Sequence, residues 1–135
     1  MLTSENIKAF IEAVKRWAAS KPDVLAVALV GSYARDNATE TSDIDLIIIL
    51  DDPQSYLENT GWLQDFGRLE RQQMEDHGLV RSLRGWYSDG MEVEFGLTTK
   101  AWISPPLDEG TLKTIRDGLQ VIFEREPTFS PLLTI

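Results

Sequence analysis

Two seven-residue apolar runs limit what this chain can fold into: Val24 to Val30, and Ile44 to Leu50, the second interrupted only by Asp45. Short runs rich in β-branched residues and closed by turn formers read as buried strands. The first stops at Gly31-Ser32 and the second at Asp51-Asp52-Pro53. Asp45 is the anomaly, because a charge set beside a buried apolar run costs free energy unless something compensates it.

The remaining segments frame these strands. From Ser4 to Ala19, Ile7, Phe10, Ile11, Val14, Trp17 and Ala18 recur at helical spacing, with Ser4 as the expected N-cap. Ser32 to Arg35 begins a short helical turn, and Asn37 to Ser42 is a polar loop. Between Tyr56 and Asp76, Leu57, Trp62, Leu63, Phe66, Leu69 and Met74 fall at roughly helical intervals, so one or two helices are predicted there, ending at His77-Gly78. Leu79 to Tyr87 and Met91 to Leu97 flank Ser88-Asp89-Gly90, a strong hairpin signal. Asp108 to Leu119 can form a helix and Gln120 to Phe123 a last strand. The expectation is a single domain over 1–135 of the α/β (α+β) class, with a mixed sheet of about five strands and helices mainly on one face.

Charge and composition narrow the functional classes. The formal net charge is −9 and the basic residues are scattered, which argues against bulk nucleic-acid binding. There is no cysteine, hence neither a disulfide framework nor a thiolate metal site. MLTSENIKAF lacks the layout of a signal peptide and no apolar run is long enough to span a membrane, so a cytoplasmic protein is expected.

The chemistry concentrates around the second run. Asp43 and Asp45 are two apart, so on a strand both would point to one side about 7 Å apart and could share a cluster of cations. Mg²⁺ prefers hard oxygen ligands and is commonly held by one or two carboxylates plus substrate phosphates. Gly31 permits close backbone approach, and Ser32 offers a hydroxyl and an amide at a helix start, which suits phosphate. On the hairpin's second strand Glu92 and Glu94 alternate with Met91, Val93 and Phe95, giving one acidic and one apolar face. One of the two would complete a three-carboxylate site able to hold a second metal or deprotonate an attacking hydroxyl. Arg35 could neutralise phosphate or brace the loop through Asp36 or Asp43. Arg81 and Arg84 lie three apart, hence on opposite faces, so at most one can reach a nucleotide. His77, the single histidine, reads as a surface residue or a helix C-cap. Trp62, Trp86, Tyr87 and Trp102 are more naturally core than stacking platforms.

Gly31-Ser32-Tyr33-Ala34-Arg35 followed by Ser42-Asp43-Ile44-Asp45-Leu46 closely resembles the signature of the DNA polymerase β-like nucleotidyltransferase superfamily, especially its small bacterial members. The resemblance is strong over Val24 to Leu50, and Met91 to Gly96 looks like the strand that carries the third carboxylate. It implies the nucleotidyltransferase fold, Gly31 and Ser32 on the nucleotide's terminal phosphates, and Asp43 and Asp45 on Mg²⁺, two ions being expected. Glu92-Val93-X-Phe95 is similar to the corresponding strand of aminoglycoside nucleotidyltransferases, which favours Glu92 over Glu94 as the third metal-binding carboxylate.

The function these readings imply is Mg²⁺-dependent transfer of a nucleoside monophosphate from a triphosphate, ATP foremost, to an acceptor hydroxyl with release of pyrophosphate. The acceptor is either a small hydroxyl compound or a partner protein, since small members of the superfamily include antitoxins that adenylylate a toxin. A non-catalytic nucleotide-binding or partner-binding module on the same scaffold is the rival from another class, and a homo-oligomer is allowed.

Overall fold

A computed structural model describes residues 3–39 and 42–133. In chain order its regular elements are α1 (Ser4–Ala19), β1 (Val24–Val30), α2 (Gly31–Ala34), β2 (Ile44–Leu50), α3 (Pro53–Glu58), β3 (Leu69–His77), β4 (Val80–Tyr87), β5 (Glu92–Thr98), α4 (Glu109–Asp117), β6 (Gln120–Glu124) and α5 (Ser130–Leu133). Two 3₁₀ helices, Thr60–Phe66 and Lys100–Ile103, lie between them. Of the polar loop expected from Asn37 to Ser42, residues 40 and 41 lie outside the described part.

Both apolar runs are buried strands, and the sheet order β3-β4-β5-β2-β1-β6 puts them near its centre. β1 pairs antiparallel with β2, while β2 runs parallel to β5, so the sheet is mixed as expected. A strand between two neighbours, covered on both faces, needs apolar residues at successive positions, which explains the lack of alternation in Leu46-Ile47-Ile48-Ile49.

Six strands stand where about five were expected. The additional one is β3, over Leu69–His77, where the sequence reading places helix. The reason is physical. β3 is an edge strand exposed on most of its length, so neither face imposes an alternation, and Leu69 and Met74 mimic a helical spacing by chance. Met74 remains 59% exposed and fills no core. His77-Gly78 is therefore not a helix stop but the turn into β4, with the Gly78 amide donating to Asp76 at 2.9 Å. The second hairpin is as expected: the Asp89 carboxylate accepts from the Met91 amide at 2.9 Å, and Trp86 faces Glu92 across the pair.

Helices cover both faces unequally. The larger cluster joins Phe10, Val14 and Trp17 of α1 and Trp62 and Leu63 of the first 3₁₀ helix to Ile44, Leu46, Ile48, Leu50 and Phe95 of the sheet. Trp62 and Phe95 meet edge to face with ring centroids 5.0 Å apart. The smaller cluster lies on the other face, where Ile47 and Ile49 meet Trp102, Leu119 and Phe129 with Ile115 of α4 packed against them. α1 is capped one residue earlier than expected: Thr3, not Ser4, accepts from the Asn6 amide, and the Asn6 side chain returns the bond. Asp45 shares the less covered face with Ile47 and Ile49, and there the candidate site residues collect.

Candidate active site

β1 delivers the chain to Gly31, whose φ of +74° is costly for any residue with a side chain. A β-carbon at Gly31 would also run into the Asp45 carboxylate. The turn is thus seated directly on Asp45, and Ser32 follows in the single turn of α2. Asp43 lies just before β2, while Asp45 stands opposite Val30 on β1 and Glu94 on β5.

These placements gather carboxylates. One oxygen from each of Asp43, Asp45 and Glu94 lies within 4.8 Å of the others. Glu92, favoured over Glu94 by the sequence reading, is not in this group: its Oε2 accepts from Arg84 Nη1 at 2.7 Å. In the parallel pairing of β2 with β5, Glu94 stands beside Asp45, while Glu92 lies one pleat earlier, at the level of Asp43.

The Asp45 carboxyl has a pKa raised from 3.8 to about 8, first by burial, then by hydrogen bonding to Glu94 and the like charges of Asp43 and Glu94. Its Oδ1 is buried and has no hydrogen-bond partner among the described residues. A carboxyl with an unsatisfied hard oxygen, grouped with two further carboxylates, fits a divalent cation, whose charge would offset the repulsion that raises the pKa.

That raised pKa has a sign. A group whose folded pKa lies above its unfolded value contributes stability at low pH, and that stability is lost as pH climbs from about 4 to about 8. Glu75, Glu124 and Asp108 shift the opposite way and act below that window. The metal-free protein is therefore expected to melt higher at pH 5.5 than at pH 8. Added Mg²⁺ should raise the melting temperature more at pH 8, by about 1–2 kcal/mol of binding free energy at a tenfold excess over its dissociation constant. Calorimetric scans at both pH values check this, and a Mg²⁺ effect larger at pH 5.5 would contradict it.

Asp45 and Glu94 line a cavity of about 410 Å³ together with Gly31, Arg35, His77, Trp102 and residues of α4. Ser32 is not among its lining residues. Among the described residues Arg35 forms no ion pair with Asp36 or Asp43, so it lines the cavity without bracing the loop through either carboxylate. Arg81 and Arg84 do point to opposite faces: Arg81 donates to Gln54 at 2.8 Å, while Arg84 enters the acidic cluster.

Three residues of this neighbourhood receive no site role in the sequence reading. Arg84 lies 2.6 Å from Asp43, 2.7 Å from Glu92, 3.2 Å from Glu75 and 3.5 Å from Glu94. Burial opposes its charge, but the hydrogen bonds to Glu75, Asp43 and Glu92 outweigh burial and hold its pKa above the ordinary value. The Asp-Gly hairpin already carries the signal, since pairing Trp86 with Glu92 sets Arg84 opposite Glu94. His77 Nε2 lies 3.2 Å from Glu94 and 3.6 Å from Glu75, although the sequence reading keeps it out of the site. Glu75 and His77 sit on β3, and reading that strand as helix hides both.

Residues 7–131 match the family model described as nucleotidyltransferase domain. The Methanocaldococcus jannaschii protein named "Putative protein adenylyltransferase MJ0126" is 31% identical over 106 residues, covering 78% of this chain and 87% of that protein. Among solved structures, an aminoglycoside 6-adenyltransferase from Bacillus subtilis superposes with a TM-score of 0.57 at 18% identity over 76% of this chain. Cid1 in complex with the UTP analogue UMPNPP gives 0.53 at 12% identity over 84%. This chain spans only 37% and 33% of those two chains, and at such identities they show a shared fold.

Proposed function

Because this chain belongs to the nucleotidyltransferase domain family, we propose that it moves a nucleoside monophosphate, AMP foremost, from its triphosphate to a hydroxyl on a protein, with Mg²⁺ as cofactor. The observation that carries this reading is the Asp45 carboxyl beneath the Gly31 turn, grouped with Asp43 and Glu94 and carrying one buried oxygen without a hydrogen-bond partner. Asp43, Asp45 and Glu94 would hold the cation, which when bound supplies positive charge against the triphosphate. Gly31 lets the backbone approach the phosphates, and Arg35 adds a cationic group to the same cavity. The acceptor oxygen bonds to the α-phosphorus as the α–β anhydride bond breaks and pyrophosphate leaves. Glu94 would take the hydroxyl proton.

The protein acceptor is supported by the relative of similar length, whose name specifies protein adenylylation. A cytoplasmic location accords with this chemistry, and no helix among the described residues is long and apolar enough to cross a membrane. The test is incubation with Mg²⁺ and labelled ATP, GTP, CTP or UTP, with and without host proteins, reading pyrophosphate release and label on protein. ATP-dependent labelling of a protein is the expected result. Binding of ATP with no pyrophosphate released under any condition would identify a non-catalytic module instead.

A further inference from the structure

We infer that Arg84 is a positioning residue that orients Asp43 toward the cation and withdraws Glu92 from the set of ligands. The inference rests on the metal-binding reading given above. Nη1 alone holds both Asp43 Oδ2, at 2.6 Å, and Glu92 Oε2, at 2.7 Å. Nε and Nη2 hold the two Glu75 oxygens at 3.3 and 3.2 Å. One planar guanidinium thereby ties β3, β4 and β5 to the residue just before β2.

Asp43 needs such a tie. It precedes β2, outside the strand ladder, and Arg84 is its only cationic partner among the described residues. Arg84, in contrast, is fixed by the sheet, facing Glu94 on one side and Gln73 on the other. A rigidly seated donor therefore sets the orientation of a loosely seated acceptor. The fork's nitrogens serve different carboxylates in one plane, a pattern that a lysine's single ammonium group cannot reproduce.

Charge and geometry make opposite predictions here. A positive charge beside a cation site weakens cation binding by repulsion, so removing it should tighten binding. An orienting residue behaves in the reverse way, and loss of such outer partners typically lowers metal affinity about 10- to 100-fold. The sign of the change separates the two.

The test is Mn²⁺ binding at pH 7.5, measured by titration calorimetry on the wild type, Arg84→Met, Arg84→Lys and Asp45→Asn, with circular dichroism to check folding. The expected result is wild-type binding that Asp45→Asn removes, a loss of about tenfold or more in Arg84→Met, and Arg84→Lys within about threefold of Arg84→Met. Unchanged or tighter binding by Arg84→Met, or full recovery by Arg84→Lys, would overturn the positioning role while leaving the metal site standing. Wild-type protein that fails to bind, or Asp45→Asn that binds equally, would overturn both. If Arg84→Met does not fold, Arg84→Lys decides alone, since it keeps the charge and loses the fork.

Discussion

Asp45→Asn is expected to lower nucleotide transfer by about 10³-fold or more while raising the melting temperature of the metal-free protein. Both effects have one origin. The carboxyl is seated where burial and two like-charged neighbours oppose its ionisation, an arrangement that costs stability near neutral pH until a cation arrives. An amide of nearly the same shape removes the repulsion and also the hard anionic ligand. A gain of roughly 1–2 kcal/mol, several degrees in melting temperature for a chain of this size, is the expected scale. Pyrophosphate release and scanning calorimetry on the same preparation check the pair, and substantial activity in the variant would refute the assignment of Asp45.

The second large effect separates two glutamates. Glu94→Gln should reduce kcat by about 10²–10⁴-fold, the range for losing a positioned proton acceptor, because Glu94 is grouped with Asp43 and Asp45 and lines the cavity. Glu92→Gln should cost only a few-fold, since Arg84 keeps its contacts with Asp43, Glu75 and Glu94. Steady-state kinetics on the two variants decide the matter. The reverse ranking would return the third carboxylate to Glu92.

The contrast shows where the sequence was informative. Buried strands announce themselves through composition, so β1, β2 and the Asp-Gly hairpin were legible, as was the carboxylate pair entering β2. Edge strands carry no such signature. β3 has solvent on most of its length, and without it neither Glu75 nor His77 could be placed near Glu94. Seeing that Glu94 stands beside Asp45 required the register of β2 against β5, a parallel pairing between segments far apart in the chain that no local pattern encodes. Arg84 falls between these cases: its partner Glu94 followed from the hairpin alone, but its bond to Asp43 depended on the parallel register as well.

The exposed margin formed by β3 also sets how freely the neighbourhood of the site can change. Most of its side chains touch little, and surface substitutions of that kind usually alter stability by no more than about 0.5 kcal/mol. Asp45 and Glu94, by comparison, project from strands whose alternate residues form the core, so altering their backbone positions would disturb packing throughout the domain. His77, more than half exposed, can be exchanged at small thermodynamic cost, with β4 lying between its strand and the one that carries Glu94. The sheet thus offers a tolerant border for tuning what approaches the cavity, attached to a centre that holds its chemistry constant.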